Sequence, residues 1–435
     1  MPFEQLLQLR ERPGDLRFAR LSLVSPVADV IGENGGPSSR GWSGQMGTLL
    51  ALNALYIGFG TILGTVQGGL PPILRQQGYA IGSVGLIYAF YLPFGLAFLW
   101  AHYIDRVRLP FLGHRTGWIV AMQAIAVCAI LLVAFSAGFP VALLAALGLA
   151  ATVAMATMDT ALDALAVERI SPDRRPLASG LKLAALSTGA MIGNGAFVVF
   201  FSRYGWTTSF VLLAAIMIAL TLPILTIRER GTANEARPSE KASLINVLRD
   251  AGRRRRLLLV TLVSCIIFPL AGLNRIMLVD LGVPLERIGW VVGTLGPISM
   301  LLVSFVSMPL MSKAGLSAAF LTFGILGVFS VGLLSFASMS GNASLAIAGS
   351  IVTGAAVSGI YVTLMAKILG WAAGNQPATD YAAYYGISRL SSTVLTITAA
   401  QVAATVDWST FYGLGAAVLI AVLILANLQI FRSET

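Results

Sequence analysis

The chain has 435 residues, of which 57% are hydrophobic and 11% charged, with a formal net charge of +10. Ordinary soluble chains carry roughly 45–50% apolar and about 25% charged residues, so this composition excludes a set of water-soluble domains and calls for a lipid solvent. The surplus of Lys and Arg lies between apolar stretches, which points to basic loops beside a membrane and away from nucleic acid.

Residues 1–42 read as a polar, Arg-bearing cytoplasmic tail. They lack the early apolar stretch of a secretory signal. Apolar stretches then follow at about 46–66, 81–101, 117–138, 140–166, 178–201 and 207–227. After a polar interval, a second set lies at about 257–279, 288–311, 315–338, 343–369, 380–403 and 409–431. Each can cross a hydrocarbon core of about 30 Å as a helix rising 1.5 Å per residue. Lipid offers the backbone of such a segment no partner outside itself, so helix is the expected form. The predicted fold is all-α and membrane-embedded, with twelve transmembrane helices in two six-helix bundles. The tail at 1–42 precedes an N-terminal bundle at 43–227, a basic cytoplasmic linker at 228–256 and a C-terminal bundle at 257–435.

The charges orient this plan. With both termini cytoplasmic, 23 Lys and Arg fall inside, and Arg75, Arg203 and Arg287 fall outside. The run from Arg253 to Arg256 closes the linker and reads as an anchor at the anionic inner leaflet, so membrane lipids are expected partners. Trp206-Thr207-Thr208-Ser209-Phe210 opens the sixth stretch and Trp408-Ser409-Thr410-Phe411 the twelfth. This short echo fits a transporter built from related halves.

Several chemistries find no support in the residues. Cys128 and Cys265 sit inside apolar runs, so no disulfide framework is implied. His102 and His114 join no Cys-His cluster, so neither a metal site nor a cofactor is expected. No Gly-Lys-Ser/Thr motif is present, so ATP is not expected to drive the protein directly. No nucleophile-base-orienter set suggests an enzyme.

The strongest motif surrounds the second loop. It reads Phe98-Leu99-Trp100-Ala101, Tyr103-Ile104-Asp105-Arg106, Pro110-Phe111-Leu112-Gly113-His114-Arg115, Gly117-Trp118 and Gln123. This order resembles the major facilitator superfamily, and within it the muropeptide permease and acetyl-CoA transporter group. That group carries a similar Phe-Leu-Trp-(Ala/Ser)-Pro, an Asp-Arg, a Gly-Arg-Arg and a Gly-Trp. The run from Met158 to Val167 is similar to that group's Gln-Asp-Ile-Ala-x-Asp-(Ala/Gly) pattern. Together with Ala378-Thr379-Asp380-Tyr381, it looks most like the siderophore permeases of the pyochelin, rhizobactin and yersiniabactin uptake systems. Ala97 stands where the group usually has lysine, and His102 where it has proline.

Ionisable groups inside a membrane cost at least about 2.5–3.5 kcal/mol at the centre of a span, so each one here is a functional candidate. Asp105, Arg106 and Arg115 at the second loop form a candidate gate. Asp159 and Asp163, four residues apart, share a face of the fourth span, and Lys182 lies at similar depth on the fifth. An Asp–Lys pair across these helices is one arrangement; a proton or substrate relay, favoured for Asp159, and a structural ion pair, favoured for Asp163, are the two readings. Arg389 lies near mid-membrane on the eleventh span, one turn from Tyr385 and two from Tyr381. A guanidinium flanked by phenols suits a planar aromatic anion; a bundle-locking ion pair is the other reading. Arg275 reads as a snorkelling residue near the outer end of the seventh span. Tyr88, Tyr91, Asn194, Asn274 and Tyr361 are further contact candidates, and packing roles compete for each.

The expected protein is a monomeric, multi-pass transporter of the Gram-negative inner membrane, coupled to protons. Its small-molecule substrate, implied by the resemblance, is a metal-siderophore complex or a similar amphipathic acid. Muropeptide uptake, drug/proton export and a membrane sensor on a transporter fold are the alternatives.

Overall fold

In the computed structural model the described residues are 39–110, 112–136, 140–171, 174–227, 249–372 and 377–431. Every regular element among them is helical. Helix α1 is Met46–Gln76, α2 spans 81–106 in short pieces, α3 is His114–Ala134 and α4 is Val141–Arg169. Helix α5 covers 175–204 and α6 covers 206–226. Helix α7 is Ala251–Asp280, α8 covers 285–314 and α9 covers 316–340. Helix α10 is Ala343–Ala372, α11 is Pro377–Ala403 and α12 is Trp408–Ala426.

Two continuous stretches, Leu177–Thr226 and Leu285–Ser340, run 50 and 56 residues. One crossing needs about 20 residues. Each stretch is broken near its middle by a glycine in the left-handed region, Gly205 at φ 77° and Gly315 at φ 84°. A side chain at such a φ is strained, and glycine lets the chain reverse there. Divided at these glycines, the helices among the described residues are consistent with the twelve expected crossings. All lie within one compact unit, Gln45–Thr435. Met1–Gly44 is a separate unit, helical from Ser39 in its described part.

Lipid is the solvent of the outer surface. Phe305, Ile325, Phe329 and Met339 are each more than 60% exposed. Such side chains would form an aggregation-prone patch in water. Inside, Leu52 and Leu55 of α1 and Met155, Met158, Leu162 and Leu165 of α4 are fully buried.

The helix breaks differ from the sequence expectation, with a physical cause. Helix α1 continues to Gln76, ten residues past its expected end at 66. A π-turn over Thr65–Gly69 displaces the local hydrogen bonds just where Pro71 and Pro72 withhold their donors, so the helix absorbs both prolines. Helix α2 breaks into Ile81–Gly85, a 3-10 turn Leu86–Tyr91, Leu92–Leu96, a 3-10 turn Ala97–Leu99 and Ala101–Arg106. Pro93 lies at the start of the third piece.

Two further π-turns, Ile192–Ala196 in α5 and Ile288–Val292 in α8, mark close backbone contacts. A Cβ on Gly60 or Gly64 of α1 would run into the backbone of Leu186 or Ala190 of α5. A Cβ on Gly193 of α5 would meet the backbone of Thr61 and Thr65. Gly195 of α5 packs in the same way on Gly289 and Gly293 of α8. Small residues allow the dispersion contacts that drive helix association in lipid.

At the α1–α2 end, polar ties join residues from the two expected halves. Arg75 Nε donates to Asp280 Oδ1 at 2.6 Å, and Trp408 Nε1 donates to Asp280 Oδ2 at 2.7 Å. Arg203 pairs with Glu286, and Gln401 Nε2 donates to the Gly82 carbonyl at 2.8 Å. At the same end Asp407 caps α12 by accepting from the Thr410 amide at 3.0 Å. Hydrogen bonds from Ser409 and Thr410 hold its carboxyl down at about 2.

Gly193→Ala should overpack the α1–α5 contact by about 1–3 kcal/mol. A lower melting temperature in detergent is expected for it, and none for Gly180→Ala on the same helix, where a Cβ meets open space.

Candidate functional site

A narrow cleft of about 30 Å³ lies among α1, α2, α7 and α11. It is lined by Gln67, Tyr88, Tyr91, Phe268, Gly272, Arg389, Ser392, Thr393 and Thr396. Helix α11 brings Arg389 to this cleft. The Arg389 Cζ lies 4.5 Å from the Phe268 ring centre and 5.9 Å from that of Tyr91. No acidic side chain pairs with it among the described residues. A guanidinium held between aromatic faces keeps its N–H fork for a planar acceptor.

The aromatic wall extends beyond Arg389. Phe268 packs edge-on to Tyr361 at 5.5 Å between ring centres, and Tyr361 lies 6.3 Å from Tyr385. Tyr91 packs on Phe94, which packs on Phe59. The Tyr91 hydroxyl lies 3.2 Å from Gln67 Oε1, and the Tyr88 hydroxyl donates to the Gly272 carbonyl at 2.7 Å. The side chain of Tyr381 lies outside the described residues; its backbone is helical within α11.

Arg275 does not snorkel to the surface. Its Nη1 donates to the Gly68 carbonyl at 2.8 Å and to Asn194 Oδ1 at 3.1 Å, with the Asn194 carbonyl at 3.3 Å. The Gly68 carbonyl is open to it because its α-helical donor would be the missing N–H of Pro72, and the Asn194 acceptors lie within the π-turn of α5. Arg275 therefore ties α7 to α1 and α5. Asn194 and Asn274 are both buried, and Asn194 serves this tie.

The acidic pair on α4 divides its roles. Lys182 Nζ binds Asp163, at 2.6 Å to Oδ1 and 2.8 Å to Oδ2. Of the two aspartates that could have formed the Asp–Lys pair between these helices, Asp163 is the one that does so. Asp163 lies one turn further along α4 and faces α5 at the level of Lys182. Tyr56 of α1 donates to Asp163 Oδ1 at 2.5 Å, and the ammonium lies 4.6 Å from the centre of its ring. Asp159 stands apart, its Oδ1 buried without a hydrogen-bond partner among the described residues.

At the second loop, Arg115 Nε binds Glu168 of α4 at 3.0 Å. Arg106 is exposed, and the side chain of Asp105 lies outside the described residues. The motif tryptophans hold the loop in place. Trp118 Nε1 donates to the Val107 carbonyl at 2.8 Å, and Trp100 Nε1 donates to Thr157 Oγ1 at 3.0 Å.

Tyr56, Gln67, Phe268 and Glu168 were not among the residues expected from sequence. Tyr56 had a legible signal, since it continues the four-residue row Gly60, Gly64, Gly68 along one side of α1. Phe268 and Gln67 are ordinary span residues until the fold places them beside Arg389. Among the described residues, no three His, Cys, Asp or Glu side chains gather as a metal-ligand set.

Comparison with known proteins gives a consistent outcome. A profile described as Major Facilitator Superfamily matches residues 49–274. The anhydromuropeptide permease of Escherichia coli K12 is 23% identical over 281 residues. That alignment spans 62% of this chain and 57% of the permease, little more than half of its length. A Rickettsia conorii protein named as a transporter, AmpG 4, is 25% identical over 361 residues, covering 78% of this chain and 86% of the relative. Among solved structures, the nucleoside transporter NupG superposes with a TM-score of 0.64 at 13% identity. It covers 89% of this chain and 99% of its own. A bacterial homologue of the lysosomal transporter Spinster superposes at 0.60 and 15% identity, covering 91% and 99%. Identities this low establish the fold alone.

The Lys182–Asp163 pair is testable by a double-mutant cycle. Lys182→Met and Asp163→Asn should each lower the melting temperature, and the double variant should lose less than their sum. The coupling should stay within about 1 kcal/mol, because both side chains are partly exposed.

Proposed function

The chain belongs to the Major Facilitator Superfamily, and from that premise we propose that it is a proton-coupled importer of an amphipathic organic anion, bound at Arg389. Membership makes it a multi-pass membrane transporter. The anion is the finer step, and one observation carries it: Arg389 faces the cleft between Phe268 and Tyr91 with no acidic partner among the described residues. A charge retained there at such cost is best explained by a partner that arrives from outside. Paired hydrogen bonds to a carboxylate and stacking on the flanking rings would fix an acid that carries a ring.

Asp159 is the proposed proton carrier. Asp163 is committed to Lys182 and Tyr56, whereas Asp159 Oδ1 is unsatisfied. A neutral Asp159 relieves that burden, and its proton can leave towards the side to which α4 opens. The two expected bundles, 43–227 and 257–435, then rock about the cleft. In the proposed inner-membrane orientation, with cytoplasmic termini, the α1–α2 end is periplasmic. Its ties through Arg75, Arg203 and Gln401 hold that face closed.

Within the class of amphipathic anions, the motifs at Met158–Val167 and Ala378–Tyr381 support a siderophore-type chelate, with the metal as cargo. A muropeptide, also an acid, is the second reading. It is favoured by the names of the E. coli permease and of the Rickettsia relative. Both readings use Arg389 in the same way, so uptake decides between them.

The test is accumulation of a radiolabelled ferric phenolate chelate and of a radiolabelled anhydromuropeptide in cells expressing the protein. Arg389→Gln should reduce uptake of the true substrate by roughly 10–100-fold, the range for losing a charge-assisted hydrogen bond of about 1.5–3 kcal/mol. Unaltered uptake in that variant would refute the anion site. Asp159→Asn should still exchange labelled for unlabelled substrate across the membrane but no longer accumulate it against a gradient. Full accumulation by Asp159→Asn would remove this residue from the proton path.

A further inference from the structure

Two guanidiniums, Arg389 and Arg275, stand along the central helices without an acidic partner among the described residues. The acceptors of Arg275 are all neutral, the carbonyls of Gly68 and Asn194 and the Asn194 side-chain amide. All three are reached by Nη1; Nε and Nη2 make no hydrogen bond among the described residues. Carbonyl dipoles satisfy a donor, but they leave the positive charge of Arg275 uncompensated in a medium of low dielectric.

Arg275 does not line the cleft that holds Arg389, but it binds the carbonyl of Gly68, next to the lining residue Gln67. Phe268, against which Arg389 stacks, and Gly272 line the cleft from α7. Arg275 follows on the same helix, seven residues after Phe268, or about 10 Å at 1.5 Å per residue. Tyr88 stands between the levels, with its hydroxyl on the Gly272 carbonyl. Gly68 fits this arrangement: a Cβ there would run into the Arg275 guanidinium and the Asn194 amide.

We propose that Arg275 is a second anion-recognition residue, so that the substrate carries two acidic groups about 10 Å apart, one held by Arg389 and the other by Arg275. This rests on the reading of Arg389 as the substrate anchor. A carboxylate offers Arg275 two parallel, charge-assisted bonds, which are stronger than bonds to neutral carbonyls. As it takes the guanidinium, the contacts to Gly68 and Asn194 give way, and the tie between α7 and the π-turns of α1 and α5 loosens. A doubly acidic substrate thereby releases the α1–α2 end. A singly acidic molecule binds Arg389 and leaves the tie in place.

The test uses two probes with the same rings, biphenyl-4,4′-dicarboxylate and biphenyl-4-carboxylate, the first with its acidic groups a comparable distance apart. Their dissociation constants are measured on the full chain in lipid nanodiscs. The wild type should bind the dicarboxylate about tenfold more tightly or better, as one additional charge-assisted hydrogen bond implies. Arg275→Gln should erase this preference and Arg275→Lys should keep part of it. Equal binding of the two probes by the wild type, or a preference that survives Arg275→Gln, overturns the second site. In that event, monocarboxylate binding that is lost in Arg389→Gln leaves the anchor reading standing. Binding of neither probe by the wild type overturns both.

Discussion

Hydrocarbon charges a high free energy for any ion it surrounds, and the interior of this protein is organised by how each ion meets that cost. Lys182 meets it with Asp163 and the face of Tyr56. Arg275 meets it with neutral carbonyls. Arg389 has aromatic faces and the cleft. Asp159 has an oxygen with no partner among the described residues. The order runs from fully paired to unpaired, and it follows the proposed roles: a structural pair, a releasable tie, a substrate anchor and a proton carrier. An ion that is completely satisfied has little reason to respond to a substrate, whereas a half-satisfied one does.

Backbone geometry and electrostatics meet at the π-turns. The turns in α1, α5 and α8 accompany glycines that let these backbones touch. The carbonyls of Gly68 and Asn194 that Arg275 uses lie within the turns of α1 and α5, so close packing and the tie occupy the same places.

Much of this was legible in the sequence, for reasons that stop at identifiable points. The twelve crossings follow from apolar length, and the reversal at Gly315 falls where the ninth stretch was expected to begin, because lipid leaves helix as the sole local solution. Arg389, Lys182 and the two aspartates stood out through the cost of placing them in a span. The partners of these ions were not legible, because pairing depends on helix rotation and depth. Residue spacing left open which of the two aspartates Lys182 meets, and the fold selects Asp163. Arg275 was misread because its acceptors, two carbonyls and the Asn194 side chain, lie on other helices, and their approach depends on the tertiary fold. The extension of α1 beyond Gly68-Gly69 was hidden because the glycines and prolines that normally end a helix are here absorbed by a turn of wider pitch.

Alternating access between two helical sets is the central claim. Pulsed electron paramagnetic resonance between spin labels in lipid nanodiscs tests it most directly. One pair of labels, at Gln77 and Thr405, spans the α1–α2 end, and a second, at Arg108 and Lys313, spans the opposite end. Removing the ties with Arg75→Gln and Arg203→Gln should lengthen the 77–405 distance and shorten the 108–313 distance in the same sample. Two distances that stay fixed, or that grow together, would contradict the account.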